Sequence, residues 1–128
     1  MRLTVLPGEH AVCRLGSRLV ALPEPGGGLV SLSVTDGEVS LVCPADQAPD
    51  GARVERGWRV LRVEGPLDFG LVGVLADLSG ALARAGLSVF VVSTFDTDYL
   101  LVFQLAEAVA ALRQDGHTVA TGVARDAD

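Results

Sequence analysis

The clearest pattern of apolar and polar positions runs from Glu64 to Phe103. Leu71, Leu75, Leu78, Leu82 and Ala85 recur at 4-3-4-3 spacing, which places them on one face of a 3.6-residue helix. Asp68 is placed to cap that helix, with Gly70 just inside it and Gly86 as its stop. After Gly86 the period changes. LSVFVVST, residues 87–94, is almost wholly apolar and rich in β-branched side chains, the pattern of a strand covered on both faces. Asp96 and Thr97 turn the chain into a second apolar strand, YLLVF. Leu105, Val109 and Leu112 then define the inward face of a second helix that Gly116 stops, and HTVAT reads as a last strand.

The first half patterns differently. RLTVL and HAVCRL are short extended segments separated by Pro7-Gly8. Gly16 to Gly28 holds no lasting period and reads as a loop. Asp36-Gly37, between LVSLSVT and EVSLVC, is a hairpin signal, and Val30, Leu32 and Val34 alternate with Ser31, Ser33 and Thr35 to leave one wet face. Pro44 to Gly57 is a polar connection. WRVLRV follows as a strand, with Trp58, Val60 and Arg62 on one face and Arg59, Leu61 and Val63 on the other. The expected organisation is therefore a mostly β half over 1–49, a linker over 50–57, a βαββαβ domain over 58–122 and a tail over 123–128. Two strand–helix–strand crossovers joined by a hairpin give a four-stranded antiparallel sheet with both helices on one face. The fold class is α+β, a ferredoxin-like C-terminal half packed with a shortened, mostly β copy. An uncovered sheet face or edge invites pairing, so a homodimer is expected.

Composition narrows the functions. With 128 residues, 49% of them hydrophobic and 20% charged, the chain can bury a core, and at 5% aromatic that core must be aliphatic. A net charge of −6 and no Lys/Arg cluster argue against nucleic acid and anionic membranes as partners. No apolar run suggests a membrane helix and MRLTVLPGEH lacks a signal-peptide pattern, so a cytoplasmic location is expected. Cys13 and Cys43 each sit in a strand-like run without a Cys or His at ligand spacing, which points to reduced, buried thiols and no metal. His10 and His117 read as surface or rim residues, and Arg53, Arg56, Arg59 and Arg62 as a solvated face. There is no lysine, no phosphate loop and no nucleophile–base pattern, so neither a cofactor nor a catalytic residue is expected.

What remains suits a zwitterion. Gly70 and Leu71, at the start of the first helix, offer unpaired backbone N–H groups to a carboxylate, and Gly70 lets a ligand approach the main chain. Asp68, Asp96 and Asp98 can accept from an ammonium. The same aspartates also serve as an ordinary helix cap and ordinary turn residues. A third use, with Asp96 and Asp98 as a paired acid and base, would make the protein an enzyme.

GPLDFGLVGVLADLSGALARAGLSVFVVSTFDTDYLLV, residues 65–102, resembles the core of the amino-acid-binding ACT domains, in particular those of small bacterial ACT proteins similar to the CASTOR arginine sensors. VSLVCPADQAP, residues 39–49, resembles a second segment of that family. The resemblance implies side-by-side association of ACT domains. It also implies an amino acid held between domains by a strand–helix loop and a Thr-Phe-x-x-Asp segment. Those elements correspond to Asp68, Phe69, Gly70 and Leu71, and to Thr94, Phe95 and Asp98. The sensors carry two full ACT pairs per chain and this protein a single short one, so the site would be completed within the chain or by a second subunit. The expected function is an amino-acid-binding regulatory sensor. The alternative is a ligand-free ACT-like interaction protein acting through a regulated protein partner.

Overall fold

A computed structural model describes residues 1–18, 20–65 and 73–121. In chain order the elements are β1 (Arg2–Val5), β2 (His10–Leu15), β3 (Ser31–Val34), β4 (Val39–Pro44), a 3-10 turn (Ala45–Gln47), β5 (Arg53–Val63), α1 (Val74–Arg84), β6 (Phe90–Ser93), β7 (Asp98–Val102), α2 (Leu105–Gln114) and β8 (Thr118–Ala120). They divide between two compact units. One comprises Met1–Leu6 with the chain from Arg59 onward, the other Pro7–Trp58. The units are thus interleaved along the chain, where two consecutive segments meeting at a linker over 50–57 had been expected, and β5 gives its first half to one unit and its second half to the other.

In the first unit the order β5-α1-β6-β7-α2-β8 is the expected βαββαβ, an α+β ferredoxin-like arrangement. Its sheet has five strands rather than four, ordered β6-β7-β5-β1-β8. The N-terminal strand lies between β5 and β8, antiparallel to β5 with Leu3 opposite Val63, and parallel to β8 with Leu3 opposite Val119. Nothing in the local pattern of RLTVL encodes that placement, because one partner lies in mid-chain and the other near residue 120. Leu3, Val5, Leu61, Val63, Leu100, Val102 and Val119 share one sheet face and pack against Leu78, Ala81 and Leu82 of α1 and Ala108, Val109 and Leu112 of α2. Leu75 and Leu105 are half-buried against the same cluster.

Three expectations about these elements are corrected. The N-cap of α1 is Gly73, without a side-chain cap, so the helix does not begin at Asp68 and Gly70. A capping side chain reaches only the N–H groups of its own first turn, and the described first turn begins at Val74. Ala85, placed on the inward face by its spacing, is the C-cap and is exposed. Finally, β6 pairs only with β7 among the described strands, and Phe90, Val91 and Val92 are half-buried, so it is an edge strand rather than one covered on both faces. The helix stops fall where expected. The amides of Gly86 and Leu87 return to the carbonyls of Ala83 and Leu82, and those of Gly116 and His117 to Arg113 and Leu112, the double bond of a Schellman ending.

The second unit is an antiparallel sheet ordered β3-β4-β2-β5. The Asp36-Gly37 hairpin forms as predicted, with Thr35 and Glu38 exchanging backbone hydrogen bonds. Ala11, Cys13, Leu41, Cys43 and Ala45 form its core, flanked by Val30, Leu32 and Val54. Val34, grouped with them by alternation, is exposed at the strand end. β5 begins at Arg53, earlier than the Trp58 start predicted, because the register with β2 shifts between His10 and Val12. That shift is a bulge at Arg56 and Gly57, and it obscures the alternation a strand would show. Gly57 has φ 92 and donates its N–H to the Glu9 carboxylate at 2.7 Å.

His10 is fully buried, contrary to the surface or rim position expected. Its Nε2 accepts the Leu29 N–H at 3.0 Å and its Nδ1 lies 3.3 Å from the Gly8 carbonyl, so the ring ties a loop to β2 as a neutral imidazole.

Candidate functional site

The turn between β6 and β7 places three of the predicted site residues. Thr94 opens it, donating its N–H to the Thr97 carbonyl at 2.8 Å and its hydroxyl to the same oxygen at 3.0 Å. Phe95 and Asp96 form the tip, where Phe95 is 80% exposed. Asp98 is the first residue of β7, opposite Ser93, whose hydroxyl donates to its Oδ1 at 2.7 Å. By alternation with Leu100 and Val102, Asp98 belongs to the sheet face that carries the helices. Asp68, Phe69, Gly70 and Leu71 lie outside the described residues.

Sequence reasoning missed the residue that fixes this turn. Thr97 is buried, and its hydroxyl donates to the carbonyl of Val63 at 2.7 Å. Val63 ends β5, just before the segment that holds Asp68 to Leu71. The tether therefore anchors the Thr94–Asp98 turn to the strand from which the strand–helix connection departs. A threonine after an aspartate signals a turn, and only tertiary pairing shows what its hydroxyl reaches. Glu64, next along from Val63, was also missed. It accepts from the Thr4 hydroxyl and from Arg62 at 3.3 Å, and chiefly the Thr4 hydrogen bond holds its carboxyl below the ordinary range.

Other candidates resolve as structural groups. Burial pushes both thiols up, Cys43 to about 12, so each is protonated at neutral pH. Among the described residues no group of three or more His, Cys, Asp or Glu is placed to hold a metal, and no helix is long and apolar enough to cross a membrane.

The model of the ACT domain matches residues 53–114, from the first residue of β5 to the last of α2. Protein Atu0741 from Agrobacterium tumefaciens is 37% identical, with a TM-score of 0.81 over 94% of this chain and 92% of that one. The chain belongs to the ACT-domain family. The cytosolic arginine sensor for mTORC1 subunit 1 of Bos taurus is 35% identical over 115 residues, which are 86% of this chain and 32% of that protein. This ACT protein therefore spans 32% of that relative's length. Aspartate kinase from Synechocystis shares the fold, with a TM-score of 0.62 at 18% identity over 92% of this chain and 27% of that one.

Proposed function

We propose that this protein is an amino-acid-binding ACT sensor, with no chemistry of its own, that works as a cytoplasmic homodimer on a protein partner. The ligand's carboxylate goes to the backbone at Gly70 and Leu71. Its ammonium goes to Asp98, with Asp68, Phe69, Thr94 and Phe95 closing around it. One observation carries the reading: Thr97 fastens the turn bearing Asp98 to Val63, the end of the strand that leads into the Asp68–Leu71 segment. A carboxylate held at a fixed point near the end of β5 is what an ammonium requires. The arginine sensor among the relatives favours an amino acid over other small molecules. A ligand bridging turn and connection would order both and bias any assembly whose interface it touches.

A thermal-shift screen against the twenty amino acids, with Asp98→Ala alongside, tests this. One amino acid should raise the wild-type midpoint in a concentration-dependent way, by mass action on the folded state. Asp98→Ala should abolish the rise. A wild type that shifts with none of the twenty rejects the ligand and leaves the second reading, a ligand-free interaction protein. The exposed Phe95 at the turn tip favours that alternative, since aromatic side chains anchor protein interfaces.

A further inference from the structure

The sheet of the second unit carries a row of polar side chains that the amino-acid reading leaves unused. Ser33 lies opposite Ser40, Ser40 opposite Arg14, and Arg14 opposite Arg53. Directly opposed residues point to the same face of a sheet, so two hydroxyls and two guanidiniums line up across all four strands. One step along the same face Val12 lies opposite Glu55, and Glu38 precedes Ser40 by two positions. The neighbouring positions Cys13, Leu41 and Val54 turn the other way, into the apolar cluster.

This arrangement is not what a merely solvated face needs. Like charges set directly opposite one another weaken a sheet. Arg14 donates to the Gly37 carbonyl at 3.0 Å, and Arg53 makes no side-chain hydrogen bond or ion pair with a described residue. Glu38 and Glu55 flank the pair, yet the described ion pairs are Arg62–Glu64 and Arg84–Asp115. Two cations with spare donors and two carboxylates thus border a groove of about 340 Å³ lined by Val12, Arg14, Glu38, Ser40, Arg53 and Glu55. That volume sits at the small end of ligand sites.

We propose that this groove binds a small dipolar metabolite, its oxyanion bridging Arg14 and Arg53 and its ammonium taken by Glu38 and Glu55. Guanidinium forks match the geometry of a carboxylate or phosphate, and the Ser40 hydroxyl adds a donor. The flanking glutamates repel a bare polyanion and so select a ligand that carries its own positive end.

The full chain, titrated at constant ionic strength and followed by amide NMR, tests this with β-alanine, O-phosphoethanolamine, inorganic phosphate and sodium chloride as probes. At least one dipolar probe should saturate, with shifts centred on residues 12–14, 38–40 and 53–55. Arg53→Gln and Glu55→Gln should each weaken it at least tenfold while leaving distant amides unmoved. Saturation by O-phosphoethanolamine alone assigns the oxyanion as a phosphate, and saturation by β-alanine as a carboxylate. Asp98→Ala should leave this binding intact, which separates it from the proposed turn site. Shifts no larger than those from sodium chloride, inorganic phosphate binding as tightly as either dipolar probe, or binding unchanged in Arg53→Gln would each overturn the proposal.

Discussion

Glu64 gathers the Thr4 hydroxyl and the Arg62 guanidinium onto one carboxylate. The Thr4 hydrogen bond, with help from Arg62, holds its acid below the ordinary value of 4.5. A carboxylate lowered in the folded state contributes fully above its unfolded value, and that contribution disappears as pH falls through the folded one. Glu64→Gln should therefore destabilise at pH 7 and converge on the wild type in acid. The difference should stay under about 1 kcal/mol, because both side chains of the ion pair are 39% exposed and water screens them. Urea melts at pH 7 and pH 3 check it; an equal gap at both would assign the loss to packing instead of charge. Legibility at this scale depended on how local the cause was. Asp96 and Thr97 announced a turn by residue type alone. His10 misled, since its burial depends on a residue far along the chain: a Cβ on Gly28 would lie 2.4 Å from its Nε2. Both halves of the candidate site, Asp68 to Leu71 and Thr94 to Asp98, stand as a proposal.

The elements show the same division between near and remote causes. Both helix stops were readable because a Schellman ending is encoded in the few residues around Gly86 and Gly116. The edge position of β6 was not, since an apolar run looks alike whether one neighbour or two lies beside it. Strand β5 adds a testable case. Its bulge holds Gly57 at φ 92, where an L side chain is strained. Gly57→Ala is expected to cost about 1–3 kcal/mol, the range for a non-glycine residue forced into a sparsely populated backbone region. Chemical denaturation measures it directly. A loss near zero would mean that the bulge relaxes into regular pairing and that the Glu9 contact to the Gly57 amide is dispensable.

For the molecule as a whole, the interleaved path decides what can be cut away. A fragment spanning 59–121 keeps the second half of β5 and the rest of the βαββαβ order yet lacks β1, and with it two ladders and the core side chains Leu3 and Val5, which are 1% and 3% exposed. Fully buried aliphatic side chains each contribute roughly 1.5–3 kcal/mol, against a net stability of only about 5–15 kcal/mol for a typical domain. The fragment should therefore show no cooperative thermal transition by circular dichroism, while the full chain does. A sharp melt of the fragment would show β1 to be an accessory strand.

That path also sets a timetable for synthesis. The second unit, Pro7–Trp58, is contiguous and can close as soon as its last residue emerges. The first cannot. Leu3 must find Val63 in mid-chain, and Arg2 and Leu3 must find Thr118 and Val119, contacts that span nearly the whole given sequence. Contacts of such sequence separation slow folding, because loop-closure entropy precedes any reward. Strand β1 can pair with β5 once Val63 has been made, but its second ladder waits for β8.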